Sequence, residues 1–388
     1  MNAHAGLAAA ASSSSAIENL SLFPFAEYWW FYAAFTVFVF LLLALDLGVF
    51  HRHAHEVSFK EAASWSVVWV SLAMLFLAGF YYYMLRTFPD NERLMAVAGF
   101  EPAAAARSAA LQFLAGYVVE YSLSVDNIFV FVVVLSYFMI PTKYQHRVLF
   151  FGILGALFFR AIFIAIGAAL MRYQVVLILF GVFLIYTGVR MLFAKEHGVE
   201  PEENAIIKRF RRMMPVTQEL HEQSFFVKID GVRHATPLFI ALLFLEMTDI
   251  VFAVDSVPAI FGLTREPLIV FTSNIFAILG LRNLYFMLRG AIDRFHMLKY
   301  GLGIVLIFVG LKMTVLNRLF GGHFPIEWSL GIIVGVIAVS VVLSLLFPRR
   351  GGPAGAEVPP VPLPPGHDLV THDPEGETKA AEGKKKAR

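Results

Sequence analysis

Two short stretches hold carboxylates where hydrocarbon is expected. EYSLSVDNIFVF, residues 120–131, carries Glu120 and Asp126 inside an otherwise apolar run. EMTDIVFAVDSVPAIF, residues 246–261, carries Glu246, Asp249 and Asp255. An ionised acid at the centre of a bilayer costs about 2.5–3.5 kcal/mol on insertion scales, so such residues face a polar interior and mark ion paths or counter-ions. Asn127 and Ser256 follow the second aspartates directly and add neutral oxygens, and Asn274 is a further polar candidate downstream. Carboxylate, amide, hydroxyl and carbonyl oxygens suit hard divalent cations such as Mg, Ca or Mn. The chain contains no cysteine, which excludes thiolate metal sites, cysteine nucleophiles and disulfides.

Spacing constrains how these acids meet. Glu246 and Asp249 share a helical face, whereas Glu120 and Asp126, or Asp249 and Asp255, do not share one in a regular helix. Either the helix unwinds between them or each acid faces a different neighbour. Pro258 favours a local break, because it cannot donate to the Val254 carbonyl and leaves that oxygen free as a ligand.

The elements that must position them are membrane helices. The chain has 388 residues, 58% hydrophobic and 15% charged, with a mean hydropathy of +0.69. That composition predicts an all-α polytopic membrane protein. Long apolar windows place nine spans near 28–50, 65–85, 109–140, 148–171, 174–193, 236–262, 267–288, 300–318 and 327–347. Trp29, Trp30, Tyr32, Trp65, Trp69, Tyr81, Tyr82 and Tyr83 lie near span ends, as an interfacial belt would. Residues 1–27 are expected to be a flexible lead, 28–347 the transmembrane domain and 348–388, rich in Pro, Gly and charge, a disordered tail. The lead lacks the basic start and apolar core of a cleaved signal peptide.

Lys and Arg set the orientation. Arg52, Lys60, Lys143, Arg147, the 194–235 loop, Arg289, Arg294, Lys299 and the tail fall on one side, against scattered Arg86, Arg93, Arg107, Arg172, Arg265 and Arg318 on the other. The positive-inside rule then puts the N-terminus outside and the C-terminus in the cytoplasm. The 194–235 segment reads as a basic cytoplasmic loop with some helix, near anionic lipid, with no nucleic-acid role.

The chain also repeats itself. VEYSLSVDN (119–127) lies over TDIVFAVDS (248–256), matching Glu120 to Asp249 and Asp126 to Asp255. FLIYTGVRM (183–191) lies over VLIFVGLKM (305–313), matching Gly188 to Gly310 and Arg190 to Lys312. FFRAIF (158–163) lies over GLRNLYF (280–286), matching Arg160 to Arg282. A three-span unit must enter the membrane from opposite sides in its two copies. That predicts inverted repeats, spans 3–5 and 6–8, with a site near the midplane. Within the spans the acids, Asp46 included, outnumber the bases Arg160, Arg190, Arg282 and Lys312. A divalent cation would cancel the surplus, as would protonation. Taken singly, the bases read as packing partners of acids. Asp46 lies near a cytoplasmic end, and HRHAH (51–55) reads as solvated histidines despite its metal-like spacing.

LDLGVFHRHAHEVSFKEA, EYSLSVDNIFVF, FLEMTDIVFAVDSVPAIF, TSNIFAILGLRNLYF and YGLGIVLIFVGLKM, in this order, resemble the TerC family of bacterial integral membrane proteins over about residues 45–318. His53 stands where a basic residue is common in that family. The resemblance implies an inner-membrane manganese exporter, near the lysine-exporter superfamily, in a family named for tellurium-resistance operons. Carried onto this chain, Glu120, Asp126, Asn127, Glu246, Asp249 and Asp255 are the implied ligands, joined here by Ser256 and Asp46. The expected cargo is Mn2+, moved by alternating access with proton coupling, and no organic cofactor is expected. The alternatives are a scaffold assisting metalation or assembly of secreted and membrane proteins, or a tellurium-resistance factor. Direct tellurite handling fits poorly, because an oxyanion wants converging cations and this core is acidic. No nucleophile elbow, phosphate loop or zinc-protease motif marks an enzyme.

Overall fold

The computed structural model describes residues 20–45, 58–193, 209, 214–217, 220–229, 231–289, 295–320 and 324–347. Asp46, the 51–55 histidines, most of the lead, most of the basic stretch of the 194–235 loop and the tail from residue 348 lie outside the described residues. The described chain is helical, with nine helices long and apolar enough to cross a membrane.

The helices are α1 (Phe25–Leu45), α2 (Phe59–Thr87), the short α3 (Glu92–Met95), α4 (Pro102–Tyr137), α5 (Thr142–Leu170) and α6 (Gln174–Phe193). After the loop come α7 (Pro237–Phe261), α8 (Pro267–Leu279), α9 (Leu281–Leu288), α10 (Leu298–Leu311), a π-turn (Lys312–Leu316), α11 (Asn317–Leu319) and α12 (Ile326–Leu346). Each expected span is present, and α8 with α9 forms the seventh, interrupted at Gly280.

Several boundaries are chemical. Pro102, Pro237 and Pro267 each occupy a first helical position, where the missing N–H has no intrahelical partner to lose. The run Ala103–Ala106 then starts α4 well before the apolar window near 109. Within the 194–235 loop residue 209 is helical, and an antiparallel hairpin forms from β1 (Phe226–Ile229) with β2 (Val232–Ala235). Gly231, at φ +82°, makes the turn that a side chain would strain. Thr236 ties the hairpin to the head of α7 by donating from Oγ1 to the Ser224 carbonyl at 2.7 Å.

Packing separates a centre from a periphery. The α8–α9 span is 94% buried over its apolar window, whereas α1, α6 and α12 expose broad apolar faces. Exposed Val37, Phe40, Leu41, Val182, Val339 and Val342 are what lipid, not water, would cover. Around the centre α4 packs on α8 and α9, α5 packs on α7, and α4 also meets α7. Helices α6 and α10 form the most extensive pair, with α6 touching α7 and α10 touching α4. Trp69, expected at an interface, is only 5% exposed and packs in the core.

The α6–α10 seam is built from glycines. A methyl group added at Gly181 would stand 3.0 Å from the Gly310 carbonyl, and one at Gly310 would stand 2.5 Å from the Gly181 carbonyl. Gly188 and Gly303 oppose each other's carbonyls likewise, at 2.6 and 3.0 Å. The flanking contacts are reciprocal too: Gly310 meets Ile185 while Gly188 meets Ile307, and Gly181 meets Thr314 while Gly303 meets Leu192. Such backbone-to-backbone approach is the small-residue packing of membrane helices.

Candidate functional site

Three central elements converge on Arg160. Its side chain projects from the middle of α5, and none of it is exposed. Glu120 of α4 pairs with Nη1. Asp249 of α7 accepts from Nη2 at 3.1 Å and from Nε at 3.4 Å, a two-pronged contact along one edge of the guanidinium. Nη1 also reaches Ser256 Oγ at 3.4 Å and Asn274 Oδ1 at 3.3 Å. Asn274, from α8, turns its amide nitrogen to Glu120 Oε2 at 3.1 Å. The result is a closed network in which one cation binds two carboxylates, with neutral side chains satisfying the remaining valences. A guanidinium suits this, because its planar fork offers separate edges to separate acids.

Glu246 sits beside the network without joining it. It lies one helical turn before Asp249 on α7, and its carboxylate rests directly on the bare Cα of Gly155 in α5. Any side chain at Gly155 would occupy the space of that carboxylate. Its Oε2 is buried with no hydrogen-bond partner among the described residues. Parallel packing of α5 on α7 thus presents Gly155 to Glu246 and Arg160 to Asp249.

The second acid of each motif faces elsewhere. Helix α4 continues without a break through Glu120 and Asp126, and α7 runs through Asp249, Asp255 and Pro258 to Phe261. Six residues of unbroken helix turn a side chain to a face about 120° away. Asp255 therefore looks toward α6, where Thr187 Oγ1 donates to it at 3.4 Å and Arg190 is the nearby cation. Asp126 looks toward α10, where Lys299 is its nearby cation. Each unit's second acid addresses the last helix of the other unit.

Of the residues expected to share one oxygen cage, the structure brings together Glu120, Asp249 and Ser256, with Glu246 adjacent. Asn127 is buried on α4, next to Asp126. No group of three or more His, Asp or Glu is arranged to hold a metal among the described residues. The expected unwinding at Pro258 does not occur: its carbonyl accepts from the Gly262 N–H at 2.9 Å, and the proline closes the last turn of an intact helix. Two residues of the site carried weaker signals in the sequence. Arg160 read as a packing base, although its place between the repeated acid motifs was visible. Gly155 gave no signal at all.

A crevice of about 580 Å³ opens at the end of the molecule where α4 begins. Its walls include Ser108 and Gln112 of α4, the Gly262–Glu266 turn after α7, and Lys312 and Met313 of the π-turn. Glu266 is held by the segment before α1: the Leu22 N–H donates to it at 2.6 Å and the Phe23 N–H at 3.2 Å. Burial pushes the Glu266 carboxyl up, and these two backbone donors pull it back. The opposite end is closed between α5 and α9. There Arg289 donates to Thr142 at 2.9 Å and the Tyr285 hydroxyl donates to Gln145 at 2.9 Å.

Comparison with known proteins agrees with this architecture. Residues 105–351 match the family described as the integral membrane protein TerC family. An uncharacterized membrane protein of Myxococcus xanthus is 48% identical over 331 residues, covering 85% of this chain and 96% of its own. The putative membrane-bound redox modulator Alx of Escherichia coli K12 is 41% identical over 315 residues, covering 81% and 93%. The chloroplastic thylakoid membrane protein TERC of Arabidopsis thaliana is 44% identical over 237 residues, 61% of each chain. No solved structure matches.

Proposed function

Because this chain belongs to the TerC family of integral membrane proteins, we propose that it exports a divalent cation, manganese foremost, through the acidic centre formed by α4 and α7. One observation carries the reading. Glu120 and Asp249, at matched positions of the two sequence repeats, approach the same cation from two different helices in the middle of the bundle. A pair of acids aimed at one point is a seat for positive charge. In this conformation the guanidinium of Arg160 takes that seat.

Transport then consists of exchanging one cation for another. Arg160 satisfies the acids while no metal is held, so two bare carboxylates never stand together in a dry interior. An arriving divalent ion competes with the guanidinium for Glu120 and Asp249. Glu246, with its unpartnered oxygen, is the nearest acid able to complete the ion's shell or to carry the exchanged proton. Asp126 and Asp255 line the approaches along α10 and α6 instead of the seat itself.

The reciprocal α6–α10 contacts support inverted repeats. The match that lays Gly188 over Gly310 also lays Gly181 over Gly303, Ile185 over Ile307 and Leu192 over Thr314. Under that exchange the glycine-to-carbonyl contacts of the seam map onto one another, as do the Ile185 and Ile307 contacts and the Leu192 and Thr314 contacts. A twofold axis between α6 and α10 does this, as in alternating-access transporters whose halves rock about a central site. The Lys and Arg distribution supports an inner-membrane orientation with the N-terminus outside. The redox role printed in one relative's name has no thiol to act through here, since the chain lacks cysteine.

The test is Mn2+ uptake into everted membrane vesicles. Glu120→Gln and Asp249→Asn should each abolish it, and Asp126→Asn and Asp255→Asn should slow it. Undiminished uptake in both of the first two variants would remove the proposed seat.

A further inference from the structure

We propose that a second crevice, closed in this conformation, opens at the opposite end of the molecule, and that its walls are the repeat-matched counterparts of the crevice described above. The inference rests on the transport reading and extends it to named residues. It starts from a mismatch between near symmetry and clear asymmetry.

The helix pairings of the two units correspond. Exchanging α4 with α7, α5 with α8–α9, and α6 with α10 turns the α4–α8 contact into α7–α5, and the α6–α7 contact into α10–α4. In the α6–α10 seam the four glycines and their Ile185, Ile307, Leu192 and Thr314 contacts map onto one another. A bundle with that internal twofold would carry identical features at both ends. This one does not. At one end lies the crevice with Lys312 on its wall, 95% buried in a π-turn. The matched residue Arg190 is exposed on a regular α-helix. At the other end the matched space is packed shut: Leu135, counterpart of Thr264, and Ala241, counterpart of Gln112, are fully buried in an apolar cluster.

Two chemically similar units held in different conformations have a mirror alternative in which the conformations are exchanged. Its energy lies close, because each unit adopts a backbone that the other already adopts. In that state Ala241, Leu135, Arg190 and Met191 line a crevice, the Arg289–Thr142 and Tyr285–Gln145 links part, and the space around Gln112 and Lys312 fills. The glycine seam is the pivot, since it looks the same from both sides of the exchange. The π-turn would pass from the Lys312 helix to the Arg190 helix, which fits the frequent placement of such turns at moving sites.

A chain with no native cysteine allows a direct test. Ser108→Cys, on the crevice wall, and Ala241→Cys, at the counterpart of Gln112, are made singly and reconstituted in sealed vesicles. A membrane-impermeant maleimide is then applied from one face at a time, with and without saturating Mn2+ on each side. Ser108→Cys should label from one face only and Ala241→Cys from the other. A condition that speeds one should slow the other. Leu135→Cys is the second reporter if Ala241→Cys disturbs folding. If Mn2+ uptake persists while neither Ala241→Cys nor Leu135→Cys labels under any condition, the second crevice does not exist, although the transport reading stands. If the unsubstituted chain moves no Mn2+, the transport reading fails on its own evidence.

Discussion

At the scale of single residues, Arg160 explains why the repeated acids are tolerated. Two buried carboxylates flank one fully buried guanidinium, so removing the cation strands both. Breaking a buried pair on one side costs about 3–5 kcal/mol. Arg160→Met should therefore lower the unfolding midpoint of the detergent-solubilised protein sharply. Arg160→Lys should recover little of that loss, because one ammonium cannot reproduce the forked contact to Asp249. Adding Glu120→Gln and Asp249→Asn to Arg160→Met should restore much of it. Equal midpoints for Arg160→Met and the triple variant would show that the network does not couple these side chains. The acid pairs were legible in sequence as candidate oxygen ligands. Arg160 already read as a packing partner of acids, but which acids it meets was not legible, since it lies far from both motifs along the chain.

At the scale of elements, helix continuity decides which acids meet. The motifs allowed either unwinding or divided loyalties, and the intact α4 and α7 enforce the second. The α6–α10 seam is the other element-level feature. Its glycine-to-carbonyl approaches leave no room for a methyl group, so Gly188→Ala or Gly303→Ala must push the helices apart. Overpacking of this kind costs about 1–3 kcal/mol. Because Gly188 and Gly303 face each other, the double substitution should cost clearly less than the sum of the two singles. Thermal unfolding of the four proteins in detergent measures this, and additive losses would argue against a shared seam. Sequence alone matched Gly188 to Gly310 and gave no sign of the glycines they would face, Gly303 and Gly181. Their opposition across one interface emerged only once the helices were packed.

At the scale of the whole molecule, an odd number of crossings fixes the relation between the chain ends. If all nine helices among the described residues that are long and apolar enough to cross a membrane do so, residues 20 and 347 lie on opposite faces of it. Reporter fusions before α1 and after α12 should therefore be accessible from opposite sides, with the leading one outside if the Lys and Arg distribution governs insertion. Accessibility of both from one side would remove a crossing from the fold.

The amino-acid order by itself determined the solvent this chain is built for, the number and approximate limits of its spans, and the acidic pairs that make its centre unusual. Hydropathy and charge are local properties that add along the chain, so they can be read without coordinates. Tertiary structure alone decided which acids face one another, that Arg160 rather than an open cage lies between Glu120 and Asp249, and that Gly155 makes room for Glu246. Those outcomes depend on helix rotation and on contacts between residues distant in sequence. A span's composition does not encode them, because several rotations bury equal apolar surface in a lipid solvent.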